Sequence, residues 1–291
     1  MKQINHLSPL GISGPDATTF LHGQFCADLL SVPEGSGGLT AWCTAKGRVI
    51  TTLFAYRKAD GWTLILPANL AAKVTQRLRL FVLRAKVELH PATNYILLGL
   101  DTKYARTLSP DLQQRLLPHP GTTGQGQRFL LAVSGSEYAS LATAYPHSAP
   151  INQEHWTGHD VEAGLPWIDA GTTEQFLPQE LNLEHWQGLS YTKGCYPGQE
   201  IVARLRYRGT VKRGLFRIQA AETLQSTLTS GRRLLDDTGN PVATVLYSGN
   251  TTTERLSVLA VMDFSAAAPA LYVESGGSPL GVIGPVASAI L

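Results

Sequence analysis

Lys193-Gly194-Cys195-Tyr196-Pro197-Gly198-Gln199-Glu200 sets a thiol between two glycines at the onset of a helix. Upstream, Gly188 to Lys193 (GLSYTK) reads as a strand that enters a turn at Gly194. Pro197 suits a first helical position, because its missing N–H is no loss there. Ile201, Val202 and Leu205 supply the buried stripe of that helix, and Glu200 falls in its first turn, where an acid complements the dipole. Cys195 is therefore expected beside a helix N-terminus and two residues from Lys193. Both neighbours favour the thiolate, which makes it the one cysteine with a local reason to be reactive. The plainer alternative is a small buried hydrophobe, a frequent fate of free cysteine.

Working outward, the preceding chain mixes hairpins with helices. Asp16 to Leu21 reads as the start of a helix after Pro15. Arg48 to Arg57 and Trp62 to Leu66 form a hairpin about Gly61. Leu70, Val74, Leu78 and Phe81 recur at helical spacing, so Asn69 to Phe81 is predicted helical with Asn69 as its cap. A short strand is expected over Ala85–Leu89, with further strands at Tyr95–Leu100 and Phe129–Val133. Helices follow at Ser136–Ala144, capped by Ser136, and at Asn152–Val161; Pro118 to Gln127 reads as a loop. This order indicates an α+β fold and not a doubly wound parallel sheet. After Lys212 short strand-like runs (Leu215–Ile218, Val242–Tyr247, Leu256–Met262, Leu271–Val273) alternate with turn residues. They predict a small all-β domain, a barrel, with the boundary near Thr210: residues 1–210 as an α+β region of two interleaved subdomains, and 211–291 as the barrel.

Composition bounds what such a chain does. Its 291 residues allow two or three domains, and 43% apolar against 16% charged residues is ordinary for a folded protein. The net charge of +2 announces no nucleic-acid partner. Cys26, Cys43 and Cys195 form no CxxC pair, which fits a reducing compartment and gives no disulfide framework. Three cysteines also fall short of the four ligands of a resident iron–sulfur cluster. The N-terminus carries no targeting pattern and no stretch is long enough to span a bilayer. A cytoplasmic protein is expected.

The string from Lys193 to Glu200, extended by Arg204, Arg208 and Gly209, resembles the hallmark segment of the folate-binding YgfZ-type proteins. Gly14 to Ala17 with Phe20-Leu21-His22-Gly23-Gln24 and Asp28, Ala45 to Arg48, and Pro178 to Asn182 agree with the same family in order. The likeness covers residues 5 to 217, and the β domain is similar in position and size. These proteins in turn resemble the aminomethyltransferase of the glycine cleavage system. The resemblance implies three domains about a central tetrahydrofolate site, a C-terminal barrel, and a role in the assembly or repair of iron–sulfur enzymes, among them tRNA methylthiotransferases.

It also implies roles for particular residues. Glu162, in Glu162 to Pro166 (EAGLP), is similar to the glutamate that holds the pterin ring; a carboxylate suits the ring's 2-amino group and adjacent N–H. Tyr196, Gln199, Glu200 and Arg204 are the further folate contacts expected from the motif, and Cys195 with Lys193 the catalytic candidates. One departure stands out. Thr51 and Thr52 fall where the aminomethyltransferase carries its acidic pair, and threonine supplies no carboxylate to assist departure of an aminomethyl group.

Three functions are thus in play: a tetrahydrofolate-binding accessory protein for iron–sulfur enzymes, a folate-dependent one-carbon transferase, and a non-catalytic scaffold. Seven Lys or Arg against one acid over 193–217, and five against none over 68–87, suit an anionic ligand such as the folate tail or an RNA phosphate. The patches are too poor in interleaved aromatics to argue direct tRNA recognition. His155 and His159 lie four apart on a predicted helix but lack a third ligand, so no metal site is assigned.

Overall fold

In the computed structural model, which describes residues 2–91, 95–123, 126–145, 153–250, 255–266, 270–274 and 277–286, the chain forms three antiparallel sheets. In chain order the first elements are β1 (Lys2–Gln3), β2 (Leu7–Ser13), α1 (Ala17–Gln24), β3 (Gly37–Cys43), β4 (Val49–Lys58), β5 (Gly61–Pro67), α2 (Ala68–Arg79) and β6 (Glu88–Pro91). Then come β7 (Tyr95–Asp101), α3 (Thr102–Ala105), α4 (Pro110–Gln114), β8 (Leu117–Thr123), β9 (Gly126–Ser134), α5 (Gly135–Ala144) and α6 (Gln153–Ala163). The last are α7 (Gln199–Arg208), β10 (Arg213–Ala221), β11 (Arg233–Leu235), β12 (Pro241–Asn250), β13 (Arg255–Asp263) and β14 (Gly281–Pro285).

The first sheet has the order β3-β4-β5-β2-β6. Its β4–β5 hairpin turns at Gly61, whose φ is +148° and where a Cβ would sit 2.1 Å from the Ile12 carbonyl oxygen. Only glycine fits there. Ile50, Leu53 and Ala55 of β4 pack with α1 and α2, while Val49, Phe54 and Tyr56 face the molecular centre. β4 is buried on both sides, so its sequence shows a near-continuous apolar run without alternation.

The second sheet, β1-β7-β9-β8, joins the extreme N-terminus to the middle of the chain. Leu98, Leu100, Leu131 and Val133 pack with Leu141 of α5, and Leu97 and Leu130 turn to the centre. The third, β11-β12-β13-β10-β14, is the C-terminal β unit. Isolated bridges pair Leu235 with Tyr272 and Leu271 with Leu280, linking the end of β11 to the residue before β14. That link draws the two sheet edges together in the manner of a small barrel. One core cluster takes residues from all three sheets, including Phe54, Leu130 and Leu259, with Trp156 and Val161 of α6 among them.

Several boundaries differ from the sequence reading. The described residues of the stretch read as a loop, 118–123 and 126–127, lie in the strands β8 and β9: Leu117 pairs with Leu130 and His119 with Arg128. β8 is an edge strand, where a proline's missing donor is tolerated. α5 is capped by Ser134, whose hydroxyl accepts from Glu137 N while Glu137 returns a bond to Ser134 N. That reciprocal box outcompetes Ser136. α2 starts at Ala68 and ends at Arg79; Asn69 spends its amide on Asp169 and Ala170 instead of capping, and Phe81 lies past the helix against Trp42, ring centroids 6.0 Å apart. The short strand is Glu88–Pro91, pairing with β2 in place of Ala85–Leu89. Asn152, given as the start of α6, lies outside the described residues.

Candidate functional site

The motif segment is a surface loop pinned at two inward-facing residues. Gly188 to Lys193 does not join a sheet; Ser190 N donates to Cys26 O at 2.9 Å, and Ser190 Oγ accepts from Lys193 N at 3.2 Å. Lys193 is buried, and its ammonium donates to the carbonyls of His22 and Phe25 (2.6 Å to the latter), at the C-terminal end of α1. A cation on those unsatisfied carbonyls caps the helix. Burial pulls the Lys193 pKa down to about 8, with Cys26 and Asp28 opposing. Lys193 thus serves α1 and Tyr196, over whose ring its Nζ lies 5.0 Å from the centroid.

Tyr196 is the second pin, buried beside Cys26 and Cys43. Between the pins Cys195 faces solvent. α7 begins at Gln199, two residues later than Pro197 suggested, because Gly198 (φ +84°) forms its N-cap. Only Val202 of the expected stripe is buried; Ile201 is exposed and Leu205 half-buried. Gln199 is half-buried, and Glu200 and Arg204 are exposed. Cys195, Glu200 and Arg204 therefore belong to the outer surface, whereas Tyr196 belongs to the core. Pro178 to Asn182 is structural: Glu180 holds Arg213 through bonds of 2.9 and 3.1 Å, and Gln179 Nε2 donates to Val202 O at 2.7 Å.

A second place has the form of a binding site. A cavity of about 340 Å³ lies where the sheets meet, lined by His6 and Leu7 from the N-terminus, Asn69 of α2, Thr157 of α6, Trp167, Asp169, and Tyr247 of β12 among others. Its volume is in the range of small-molecule pockets. Glu162 is not one of its lining residues. It sits five residues beyond Thr157, about 140° further round α6 at 100° per residue, partly exposed and 3.7 Å from His159 Nδ1.

Behind the cavity lies a buried charged node. Asp160 Oδ1 accepts from Arg128 Nη2 at 2.7 Å and lies 2.8 Å from His119 Nε2; its Oδ2 accepts from Trp167 Nε1 at 2.9 Å. Burial alone would raise the Asp160 pKa, but His119 and Arg128 outweigh it and hold the carboxyl well below its ordinary value. Nearby, the Thr51 and Thr52 hydroxyls are both committed. Thr51 donates to Ile168 O at 3.0 Å, and Thr52 donates to Pro166 O at 2.6 Å while accepting from Ile168 N at 3.0 Å. Where the resemblance places acids, these two side chains fasten the segment after α6 to β4.

Comparison with known proteins follows the same lines. The chain is 35% identical over 216 residues to the tRNA-modifying protein YgfZ of Pectobacterium atrosepticum, covering 70% of this chain and 65% of that protein. It is 33% identical over 262 residues to the tRNA-modifying protein YgfZ of Edwardsiella ictaluri, covering 84% of this chain and 79% of the relative. The chain belongs to the YgfZ family. The match thus spans a little under two thirds of the Pectobacterium relative's length. No family model matches the chain. Among solved structures, the glycine cleavage system aminomethyltransferase T from Bartonella henselae superposes with a TM-score of 0.74 over 99% of this chain and 85% of that one, at 16% identity. That likeness shows a shared fold.

Two clusters of this YgfZ-family chain have no signature in its sequence. Cys26 and Cys43, 17 residues apart, bring their sulfurs to 3.5 Å in the core. Each thiol is shielded, and the Cys43 pKa is pushed well up by its bond to Cys26 and by burial. The Asp160 node joins residues 32 and 41 positions apart in the chain. Neither separation follows a local period, so only the tertiary fold reveals them. Among the described residues no helix is long and apolar enough to cross a membrane, and no group of three His, Cys, Asp or Glu side chains is placed to hold a metal ion.

Proposed function

We propose that this chain is a cytoplasmic tetrahydrofolate-binding accessory protein that supports iron–sulfur enzymes, including those that modify tRNA. The observation that carries the reading is the cavity between the first and third sheets, in a chain of the YgfZ family with an aminomethyltransferase-like fold. Its aromatic walls, Trp167 and Tyr247, suit a flat heterocycle, and polar groups occur at only a few points around it. Tetrahydrofolate, when bound, supplies a carrier for one-carbon units. The chain's own residues shape the cavity, and the Asp160 node keeps Trp167 in place.

Cys195 is the reactive group of this reading. Lys193 and Tyr196 hold the loop from below, so the thiol is presented outward to a client protein without itself bearing on the core. The transferase alternative is disfavoured by Thr51 and Thr52, whose hydroxyls are spent on backbone carbonyls. Free cysteines in the structure fit a reducing compartment.

Two measurements test this. Calorimetric titration of the purified protein with tetrahydrofolate should give saturable heat; a flat titration would leave only the scaffold alternative. In cells lacking the gene, the wild-type chain should restore methylthiolated tRNA and Cys195→Ala should not. Full restoration by the variant would remove the chemical role of Cys195.

A further inference from the structure

The motif loop rests on two short stretches of chain, and a pair of buried sulfurs lies between them. On one side Lys193 donates to the carbonyls of His22 and Phe25, and Ser190 N donates to Cys26 O. On the other, Gly198 lies so close to the β3–β4 turn that a Cβ there would sit 2.5 Å from Thr44 O. Cys26 ends the first stretch and Cys43 begins the second, with their Sγ atoms 3.5 Å apart. Backbone pairing sets that separation: Phe25 bridges Trp42, and Cys26 N donates to Ala41 O at 2.9 Å. A disulfide needs a sulfur–sulfur distance of about 2.05 Å, so a small approach of the two stretches would close one.

The two sulfurs are not equivalent, and their cover is the motif loop itself. The bond to Cys26 and burial push the Cys43 thiol well up, so Cys43 keeps its proton and donates it towards Cys26. Both residues are buried, and Tyr196 of the loop packs in the same cluster. The Tyr196 hydroxyl is itself buried with no hydrogen-bond partner. Ring packing and the Lys193 ammonium therefore hold this wall of the pair, with no sheet ladder across it. Segments held in this way open locally more readily than the sheets beneath them. Such an opening gives the thiols both access and a path to thiolate.

We propose that Cys26 and Cys43 form a dithiol that a hydroperoxide oxidises reversibly to a disulfide, and that this cross-link locks the motif loop. When the loop lifts, Cys26 as thiolate attacks the terminal peroxide oxygen. The O–O bond breaks, the alcohol (or water) leaves, and Cys26 becomes a sulfenic acid. The Cys43 sulfur then attacks the Cys26 sulfur; the S–S bond forms, and the departing hydroxide takes the Cys43 proton as water. Two electrons pass from the sulfurs to the peroxide, and a thiol reductant reverses the change. The new bond joins the end of α1 to the end of β3, the two supports on which Lys193, Tyr196 and Gly198 rest. Its consequence for Cys195 rests on the reading of that thiol as the reactive group; the cross-link itself does not.

The test uses the full chain carrying Cys195→Ser, so that the exposed thiol does not compete, and hydrogen peroxide as the probe. After treatment the protein is denatured, titrated with Ellman's reagent and digested for mass spectrometry. Both remaining thiols should be lost, a linked Cys26–Cys43 peptide pair should appear within one chain, and dithiothreitol should restore both thiols. Thiols that survive the peroxide, sulfinic or sulfonic acid in place of the link, or a link between two chains would each overturn the proposal. Locking is read by trypsin cleavage after Lys193, which requires the loop to lift. It should be severalfold slower in the oxidised protein than in the reduced one, and equal rates would overturn the lock while leaving the modification site. Neither readout involves folate or a client, so their failure and that of the folate reading are separate results.

Discussion

At the scale of single residues the three cysteines part company. Cys195 stands on the surface between two buried neighbours, while Cys26 and Cys43 face one another in the core. Thiol reactivity follows access and thiolate character, so the native protein should react with Ellman's reagent at one thiol per chain and the denatured protein at all three. Cys195→Ser should abolish the native reaction; a residual fast thiol in that variant would contradict the burial of the core pair. Because the Cys195 side chain supports nothing, Cys195→Ala should change unfolding free energy by less than about 0.5 kcal/mol. The motif made Cys195 legible in the sequence. Lys193 was not, since its ammonium finds its partners 168 and 171 residues away, on α1. Adjacency along the chain suggested a role beside Cys195, and tertiary contact adds a structural one at the end of α1.

At the scale of elements the legible parts are those with a strong local period. Leu70, Val74 and Leu78 all point to the core from α2, and the β4–β5 hairpin turns at Gly61 as its sequence requires. The missed boundaries lie where two local signals compete: Ser134 against Ser136 for the cap of α5, and Pro197 against Gly198 for the start of α7. Gly198 wins for a reason that can be measured. Its φ is +84°, and a Cβ would lie 2.5 Å from the Thr44 carbonyl oxygen and 2.6 Å from Gly47 Cα. Gly35 has a similar φ of +76° but nothing within 4 Å. Gly35→Ala should therefore cost only the left-handed penalty, about 1–2 kcal/mol, whereas Gly198→Ala should cost more, because two backbone segments must also move apart. Urea unfolding of both variants decides it. Equal losses would mean that the approach of the α7 cap to the β3–β4 turn is not what demands glycine.

At the scale of the whole molecule α6 is tied to the second sheet by buried ionisable groups, and this sets how the fold responds to acid. Asp160 of α6 holds His119 of β8 and Arg128 of β9, and His6 before β2 lies within electrostatic reach of the same carboxylate. Asp160→Ala would leave Arg128 buried without its anion, a loss of about 3–5 kcal/mol by analogy with broken buried pairs. Burial lowers the folded-state pKa of both His6 and His119 below the ordinary 6.5. The unfolded chain then binds more protons than the folded one as pH falls below that value, so stability rises with pH through the window and declines on acidification. For His6 the window runs from 6.5 down to about 4, and the shift corresponds to at most about 3.4 kcal/mol at 1.36 kcal/mol per unit. Asp160, held below 3.8, adds its own loss only in stronger acid, because its contribution is full above the unfolded value and falls as the carboxylate takes up a proton. Unfolding free energies measured between pH 7.5 and 4.5 should therefore fall steadily for the wild type. They should fall less steeply for His6→Gln, which has no proton to gain. Parallel curves for the two proteins would show that His6 is not held neutral, and that the junction of the sheets is wetter than its packing implies.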